Sequence, residues 1–506
     1  MFQNKFYLLI SNQSAPRQPT THTSVERDLP SDYATLMQRL RCHLTNWETA
    51  YTINRICTHW LIQSSCLSAG ELRKGGLCLR YTEKEVLQFI EENDVKFVRL
   101  MFFDIFGTTK NISIMADELP AAFKNGVTFN ASAVSGFEGF DADLVLVPDP
   151  ATLAVLPWRP QHGRVVRLFC TITYPNGTLF EADVRSVLKK AMKRASSIGL
   201  TCNIDLECEF YLFKTDEDGN PTKLPYDNAG YLDIAPLDKG ENVRRQICFT
   251  LEQMEMTPLS SHHERGPGQN EIDFMYSDPL TAADNFSMFK AMVKTIANSN
   301  GLFASFMPKP LDDKSGNSMH INVMVEKYGY NIFKKKDGEL NTTAGYFIAG
   351  VLKRISEITA FLNPIENSYK RFNTDLKGGV VGWNYGSNED IIRVISSERS
   401  NAKLQIISPD PACNPYLAFA LIINAGLDGV ESREEPPAPT VGTNRTALPS
   451  SLEMAVNAAE QSEFISSVIP KKLFESYIMH KRQELELAKS SDEIKLSTDH
   501  KYFEIL

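Results

Sequence analysis

The chain has 506 residues, of which 42% are hydrophobic and 23% charged, and a formal net charge of -9. These values are typical of a soluble globular protein with about two to four domains. The acidic balance gives no reason to expect nucleic acid or an anionic membrane as a partner. No apolar run approaches the roughly 20 residues that span a bilayer. The nine cysteines include no CxxC pair, which predicts free thiols in a reducing, cytoplasmic compartment.

Residues 1–80 differ from the rest of the chain. They contain polar runs and four of the nine cysteines, and they show no recognisable domain pattern. This segment is either a disordered or partly helical extension or a mis-assigned gene start, and we assign it no function.

The predicted elements become clear after residue 80. Thr82 to Glu85 precede an apolar periodicity and predict a helix with Glu85 in the capping-box position. Three segments rich in β-branched and aromatic residues are predicted strands: Val95–Phe103, Asp143–Val147 and Val165–Thr173. Ala182–Ser196 and Ser451–Lys489 have helical spacing. Strands followed by helices in one long chain indicate an α+β fold.

Acidic residues follow the predicted strands further along the chain. The segment 205–213 alternates with period two, which places Glu207 and Glu209 on one strand face. Taken alone, a solvated strand face explains this pair equally well. The segment 261–274 predicts two short strands around a Gly-Pro-Gly turn that brings Glu264 close to Glu271.

A third alternating segment, 319–323, places His320 on a strand face. A single histidine of this kind is more often structural than a ligand. Four glutamates and one histidine together, however, match the donors that Mg²⁺ and Mn²⁺ prefer. The pattern therefore predicts a divalent metal site.

The order and the amino-acid sequences of these segments resemble those of the type I glutamine synthetase family. The resemblance extends from about Tyr81 to Leu506. The matching motifs are Glu207–Phe213, His262–Glu264 with Gly268–Ile272, Met307–Pro310 with Met319–His320, Asn367–Arg371, and Pro409–Pro411 with Asn414–Phe419.

The resemblance implies a fold and an activity. It implies an N-terminal β-grasp domain over 81–182 and a catalytic domain over 183–506, with an antiparallel strand funnel surrounded by helices. It further implies an ATP- and Mg²⁺- or Mn²⁺-dependent ligase that joins the side-chain carboxylate of glutamate to ammonia through an acyl phosphate. Family members form two stacked hexameric rings, in which a neighbour's N-terminal domain completes each active site.

The resemblance also implies roles for individual residues. A first metal would be held by Glu209, Glu264 and Glu271, and a second by Glu207 and His320 beside the ATP phosphates. Arg393 and Lys403 would lie near those phosphates. Arg371 would bind the substrate carboxylate, Gly316 would offer backbone to the substrate amino acid, and Lys377 would occupy the catalytic position of a flexible loop.

Several positions depart from the family pattern. The ammonium-binding aspartate falls on Asn130, which is uncharged and no base. The flexible-loop glutamate falls on Lys377 or Leu376, with Asp375 close by. The second-metal glutamate falls on Gln405, and a substrate-binding arginine falls on Ile407. Other departures are Ser315, Asn322, Asn388 and, with its charge retained, Lys403.

These departures leave two interpretations of the function. The first is a ligase with an altered carboxylate or amine substrate. The second is a catalytically impaired homologue that acts as a structural or regulatory oligomer. Because unselected drift would also remove the metal-binding glutamates, their retention favours the ligase.

Overall fold

A computed structural model describes residues 81–506 except 141–142, 160–161, 336–338, 375–378, 387–389, 398–399, 440–445 and 491. The predicted extension over residues 1–80 lies outside the described residues. Lys377 also lies outside them, as do Asp375, Leu376 and Asn388.

The N-terminal part of the described chain forms a six-stranded sheet. Its strands are β1 (Val95–Phe103), β2 (Thr109–Met115), β3 (Val127–Asn130), β4 (Asp143–Pro148), β5 (Ala154–Val155) and β6 (Arg164–Thr173). They are ordered β2-β1-β6-β4-β3, with β5 paired to β6. Only β1 and β6 are parallel among these pairs. The three strands predicted in this region are confirmed to within one residue.

A ten-stranded sheet forms the framework of the second part. Its strands are β7 (Leu200–Thr215), β8 (Pro221–Pro225), β9 (Pro258–His263), β10 (Gln269–Phe274), β11 (Leu302–Ser305), β12 (Met319–Lys327), β13 (Tyr330–Asn331), β14 (Trp383–Tyr385), β15 (Ile392–Ser397) and β16 (Ser400–Ile406). The main path is β14-β15-β16-β12-β7-β10-β9. All of its pairs are antiparallel except β14 with β15.

Helices surround the two sheets. In the described part of the chain they are α1 (Glu83–Glu92), α2 (Leu119–Asn125), α3 (Val184–Ser197), α4 (Glu241–Gln253), α5 (Pro279–Ser299), α6 (Thr342–Leu362), α7 (Glu366–Thr374), α8 (Pro415–Ser432), α9 (Leu452–Glu460), α10 (Glu463–Val468), α11 (Lys471–Ser490) and α12 (Asp492–Ile505). None of them is both long and apolar enough to cross a membrane. The predicted α+β fold is confirmed.

The predicted capping box is present at the start of α1. The Thr82 hydroxyl accepts a bond from the Glu85 amide at 3.4 Å, and the Glu85 carboxylate accepts one from the Thr82 amide at 2.7 Å. This reciprocal pair satisfies two amide groups that a helix leaves without partners at its start.

Strand β7 occupies the centre of the second sheet, because β8, β10, β11 and β12 all pair with it. Leu206, Cys208 and Phe210 are buried in the hydrophobic core. Their period-two spacing directs Glu207 and Glu209 to the opposite face of the strand. The apolar residues of β7 therefore determine where these two carboxylates lie.

Helices α6 and α8 approach each other at glycines. A Cβ atom added at Gly350 in α6 would lie 2.1 Å from the Ala425 carbonyl oxygen and 2.7 Å from the Gly429 amide nitrogen in α8. Both are backbone atoms, so neither can move without shifting the helix.

We expect Gly350→Ala to destabilise the protein by about 1–3 kcal/mol, because the methyl group forces the two helices apart. Urea unfolding followed by circular dichroism measures this change. Gly139→Ala is the matched control, since a Cβ atom at Gly139 would meet nothing within 4 Å. An unchanged urea midpoint for the Gly350 variant would contradict this account of the helix contact.

Candidate active site

Carboxylates face one another across the two central strands of the second sheet. Glu209 on β7 pairs with Glu271 on β10, and Glu207 pairs with Asp273. His320 on β12 lies opposite Glu207 on the other side. Asp273 was not among the predicted ligands, although its spacing of two from Glu271 places it on the same strand face.

Glu209 is held in position by neutral donors. One of its oxygens accepts a bond from the Ser318 hydroxyl at 2.7 Å, and the other accepts from the Ser318 amide and the Gln269 side chain, each at 2.9 Å. Burial and the charge of Glu264 raise the pKa of Glu209. Burial raises the pKa of Glu271 as well, together with the charges of Glu209 and Asp273.

The hairpin between β9 and β10 contributes the third carboxylate of this group. Ligand atoms of His262, Glu264 and Glu271 lie within 4.8 Å of one another, as the predicted Gly-Pro-Gly turn requires. His262 Nε2 lies 3.0 Å from a Glu264 oxygen. Gly268 has a φ of +68°, and a Cβ atom there would lie 2.7 Å from the Leu212 carbonyl oxygen. The turn therefore needs glycine to pack against β7.

These donors fit a hard divalent cation. Glu209 and Glu271 are each only 8% exposed, and two buried carboxylates facing each other repel strongly unless they are protonated or share a cation. Glu264 adds a third anionic oxygen donor, which suits Mg²⁺ or Mn²⁺, and His262 adds an imidazole, which Mn²⁺ accepts. The assignment of Glu209, Glu264 and Glu271 as metal ligands stays a prediction.

A second acidic group lies beneath the hairpin but is already neutralised. His263 Nδ1 donates to the Glu264 carbonyl at 2.7 Å, and Nε2 donates to Asp227 at 2.9 Å. Both partners are acceptors, so the ring carries two protons and a positive charge. Burial lowers the pKa of His263, but these two bonds outweigh it and raise the pKa above its ordinary value. Arg244 neutralises the neighbouring Asp238, so the group positions the Glu264 hairpin.

The predicted substrate loop is fixed beside Glu209. Tyr211 donates its hydroxyl to the Ser315 carbonyl at 2.7 Å, and Gln269 donates to the Gly316 carbonyl at 3.0 Å. The Asn317 side chain donates to the Met307 carbonyl at 2.9 Å. The loop therefore shares Gln269 with Glu209, which links the position of the loop to that of the carboxylate group.

Glu207 lies in a different environment, with cationic and amide donors around it. It accepts bonds from His320, Asn322, Lys403 and Gln405. Burial by itself raises the pKa of Glu207, but the bond and charge of His320 and the charge of Lys403 hold it well below its ordinary value. The predicted roles of Glu207, His320 and Lys403 beside a nucleotide stay predictions.

The predicted substrate arginine, Arg371, is fully buried. Its Nη1 atom donates to the Ser408 carbonyl at 3.2 Å and lies 3.6 Å from the Asp410 carboxylate. In this arrangement Arg371 holds the turn that follows β16, and its role in substrate binding stays a prediction. Ile407, where the family has an arginine, is buried at 6% exposure.

Asn130 lies at the exposed end of β3. Its side-chain oxygen accepts bonds from the Ser132 amide at 3.0 Å and the Ser132 hydroxyl at 2.8 Å. The amide therefore caps a short 3-10 helix over 131–133, which is a structural role that requires no charge.

We expect Mn²⁺ to raise the thermal unfolding midpoint more at pH 8 than at pH 6. In the metal-free protein, Glu209 and Glu271 have higher pKa values in the folded state than in the unfolded chain, so the folded state binds more protons. The free energy of unfolding therefore falls as the pH rises towards the folded-state pKa values. A bound cation replaces those protons and therefore binds more tightly at high pH. Differential scanning fluorimetry measures both effects.

The matched variants are Glu271→Gln and Glu241→Gln. The first removes a buried member of the carboxylate group, and we expect it to abolish the Mn²⁺ response. The second changes an exposed residue at the start of α4, and we expect it to preserve the response. An equal Mn²⁺ response at both pH values would show that protons and the cation do not compete.

Comparisons with known proteins agree with this geometry. The family model of the glutamine synthetase beta-Grasp domain matches residues 94–175, and that of the glutamine synthetase catalytic domain matches residues 181–496. A glutamine synthetase from Clostridium saccharobutylicum is 41% identical over 422 residues, which are 80% of this chain and 95% of that protein. One from Methanosarcina mazei is 40% identical over 419 residues, which are 80% of this chain and 94% of that protein.

Solved structures are similar over the same region. The structure of GmaS with ADP has a TM-score of 0.73 at 28% identity and covers 82% of this chain and 99% of its own. The Plasmodium falciparum glutamine synthetase has a TM-score of 0.72 at 24% identity and covers 80% of this chain and 96% of its own, which is a likeness of fold alone.

The family is shown by the two domain matches and by the identity of about 40% over most of the relatives' length. The chain belongs to the glutamine synthetase family of ligases.

Proposed function

We propose that the chain is an ATP-dependent carbon–nitrogen ligase that joins the side-chain carboxylate of glutamate, or of a related acid, to ammonia or an amine. The observation that carries this proposal is the group formed by Glu209, Glu264 and Glu271. Glu209 and Glu271 are buried, and the side-chain and backbone donors to Glu209 are neutral, which leaves negative charge that a divalent cation would offset. The ADP bound by the similar GmaS structure supports a nucleotide as the co-substrate.

The reaction would proceed through an acyl phosphate. A carboxylate oxygen of the substrate forms a bond to the γ-phosphorus while the bond to the bridging oxygen breaks and ADP leaves. The amine nitrogen then attacks the acyl carbon, phosphate leaves, and the nitrogen loses one proton. A divalent cation bound at Glu209, Glu264 and Glu271 supplies charge that offsets the repulsion between the carboxylate and the triphosphate.

The chain's own residues would position the reactants. Arg393 and Lys403 are cations on the adjacent strands β15 and β16 and would attract the phosphates. The fixed loop at Gly316 would offer backbone groups to the substrate amino acid. Ile407 and Asn130 supply no charge for a substrate carboxylate or for ammonium, which favours a substrate pair other than glutamate and ammonium ion.

We expect phosphate release from ATP and Mg²⁺ only when a carboxylate and an amine are both present. A coupled phosphate assay with a panel of glutamate, aspartate, ammonia and small primary amines tests this. Glu264→Gln should reduce the rate by on the order of 100-fold or more, since it removes charge from the reacting centre. Glu241→Gln is the control and should retain the rate.

Failure of every substrate pair, in a folded protein that still binds Mn²⁺, would overturn the ligase proposal. That result would favour the catalytically impaired homologue that acts as a structural or regulatory oligomer.

We further propose that the chain forms a homo-oligomer, with two stacked hexameric rings as the arrangement expected from the resemblance. Two exposed apolar regions support this. Phe97 and Met115 lie opposite each other on β1 and β2 at 44% and 50% exposure. Leu232 and Ile234 are 57% and 78% exposed, and the Leu232 amide donates to the His263 carbonyl at 3.0 Å. Exposed apolar side chains that lie next to one another are typical of an interface.

We expect Ile234→Asp to reduce the oligomer size, because it places a charge in the proposed interface. Size-exclusion chromatography with light scattering measures the assembly as multiples of 56.9 kDa. Phe249→Asp, at an apolar side chain that is 52% exposed on α4, is the matched control and should leave the size unchanged. A monomeric unsubstituted protein would contradict the proposal.

A further inference from the structure

The carboxylate of Glu207 is saturated by donors from the protein. Its Oε1 atom accepts from Asn322 at 2.9 Å and from Lys403 at 3.2 Å, and its Oε2 atom accepts from His320 at 3.1 Å. The Gln405 amide nitrogen reaches both oxygens, at 3.0 and 2.9 Å. An ionised carboxylate has about four lone-pair sites. These donors therefore occupy the positions through which Glu207 would bind a metal.

The orientation of the Gln405 amide follows from its second partner. Its side-chain oxygen accepts a bond from Arg393 Nε, so the nitrogen must face Glu207. Gln405 is fully buried, at 0% exposure, which leaves the amide little freedom to turn. An N–H donor cannot ligate a cation, so Gln405 does not replace the acidic ligand that the family has at this position.

Lys403 also supplies the positive charge that this part of the site needs. Its ammonium lies 3.2 Å from Glu207 and 3.3 Å from Asp205. It thus bridges two carboxylates in the way that a metal ion would. The resemblance implies a cationic residue near the phosphates at this position, whereas the Lys403 ammonium contacts the Glu207 carboxylate directly. A divalent cation bound to Glu207 in this arrangement would be repelled by that ammonium.

The group formed by Glu209, Glu264 and Glu271 differs in this respect. The side-chain and backbone donors to Glu209 come from Ser318 and Gln269, which carry no charge. Glu207 is therefore contacted by a lysine ammonium, whereas these contacts to Glu209 are uncharged and Glu264 pairs with His262.

We propose that the protein binds a single divalent cation, at Glu209, Glu264 and Glu271, and that Lys403 and Gln405 take the place of a second cation at Glu207. This inference rests on the proposed function for its chemical meaning, whereas the cation count depends only on the contacts of the chain. Lys403 would then act as a fixed cation that faces the nucleotide phosphates together with Arg393.

Isothermal titration of the full chain with MnCl₂, without nucleotide, tests the proposal. We expect one Mn²⁺ per chain for the unsubstituted protein. We expect two for the Lys403→Met/Gln405→Glu double variant, because it removes the ammonium and provides a carboxylate beside Glu207 and His320. Lys403→Arg keeps the charge and should keep the count at one. Gln253→Glu adds the same charge at an exposed position of α4 and should also keep it at one.

Two Mn²⁺ ions per chain in the unsubstituted protein would overturn the proposal. A double variant that unfolds at the same temperature as the parent but still binds one Mn²⁺ would overturn the role given to Lys403 and Gln405. Because no nucleotide or turnover enters this titration, its result is independent of the ligase assay. A failed ligase assay with a single bound Mn²⁺ would overturn the proposed function and leave the cation count intact.

Discussion

The repulsion between carboxylates on one face of the central sheet is the constraint on which the rest of the site depends. Strands β7 and β10 place Glu207, Glu209, Glu271 and Asp273 in facing pairs, and the adjoining turn adds Glu264. Two unit charges 4 Å apart interact by about 4 kcal/mol at an effective dielectric constant of about 20. A whole protein is stable by only about 5–15 kcal/mol, so such a group requires compensation.

The acidic groups on this face and beside it are compensated in three ways. Beneath the hairpin, a protonated His263 pairs with Asp227 and holds the turn that carries Glu264. Around Glu207, the compensation comes from Lys403 and from amide donors. At Glu209 the side-chain and backbone donors are neutral, and burial raises the pKa values of both Glu209 and Glu271. This last group is the one at which we propose that a cation from solution binds, which connects the electrostatics of the fold to the proposed chemistry.

The substitutions at the substrate end are accommodated within the fold. Ile407 is buried next to the turn that Arg371 holds through the Ser408 carbonyl. Asn130 caps a short helix. The Gln405 side chain accepts a hydrogen bond from Arg393 and donates one to Glu207. The fold thus accommodates these three departures from the family, and together they change the charges available to a substrate while Glu209, Glu264 and Glu271 are retained.

The order of the amino acids was sufficient to establish the family, the capped helix α1, the alternating strand that carries Glu207 and Glu209, and the closeness of Glu264 to Glu271. These features depend on local spacing, because the period of a strand and the geometry of a tight turn operate over a few residues. The saturation of Glu207 by Lys403 and Gln405, and the pairing of His263 with Asp227, became known only through the tertiary structure. The bond between Gln405 and Glu207 joins residues that are 198 positions apart, and the pairing of β7 with β12, and of β12 with β16, brings those two side chains together.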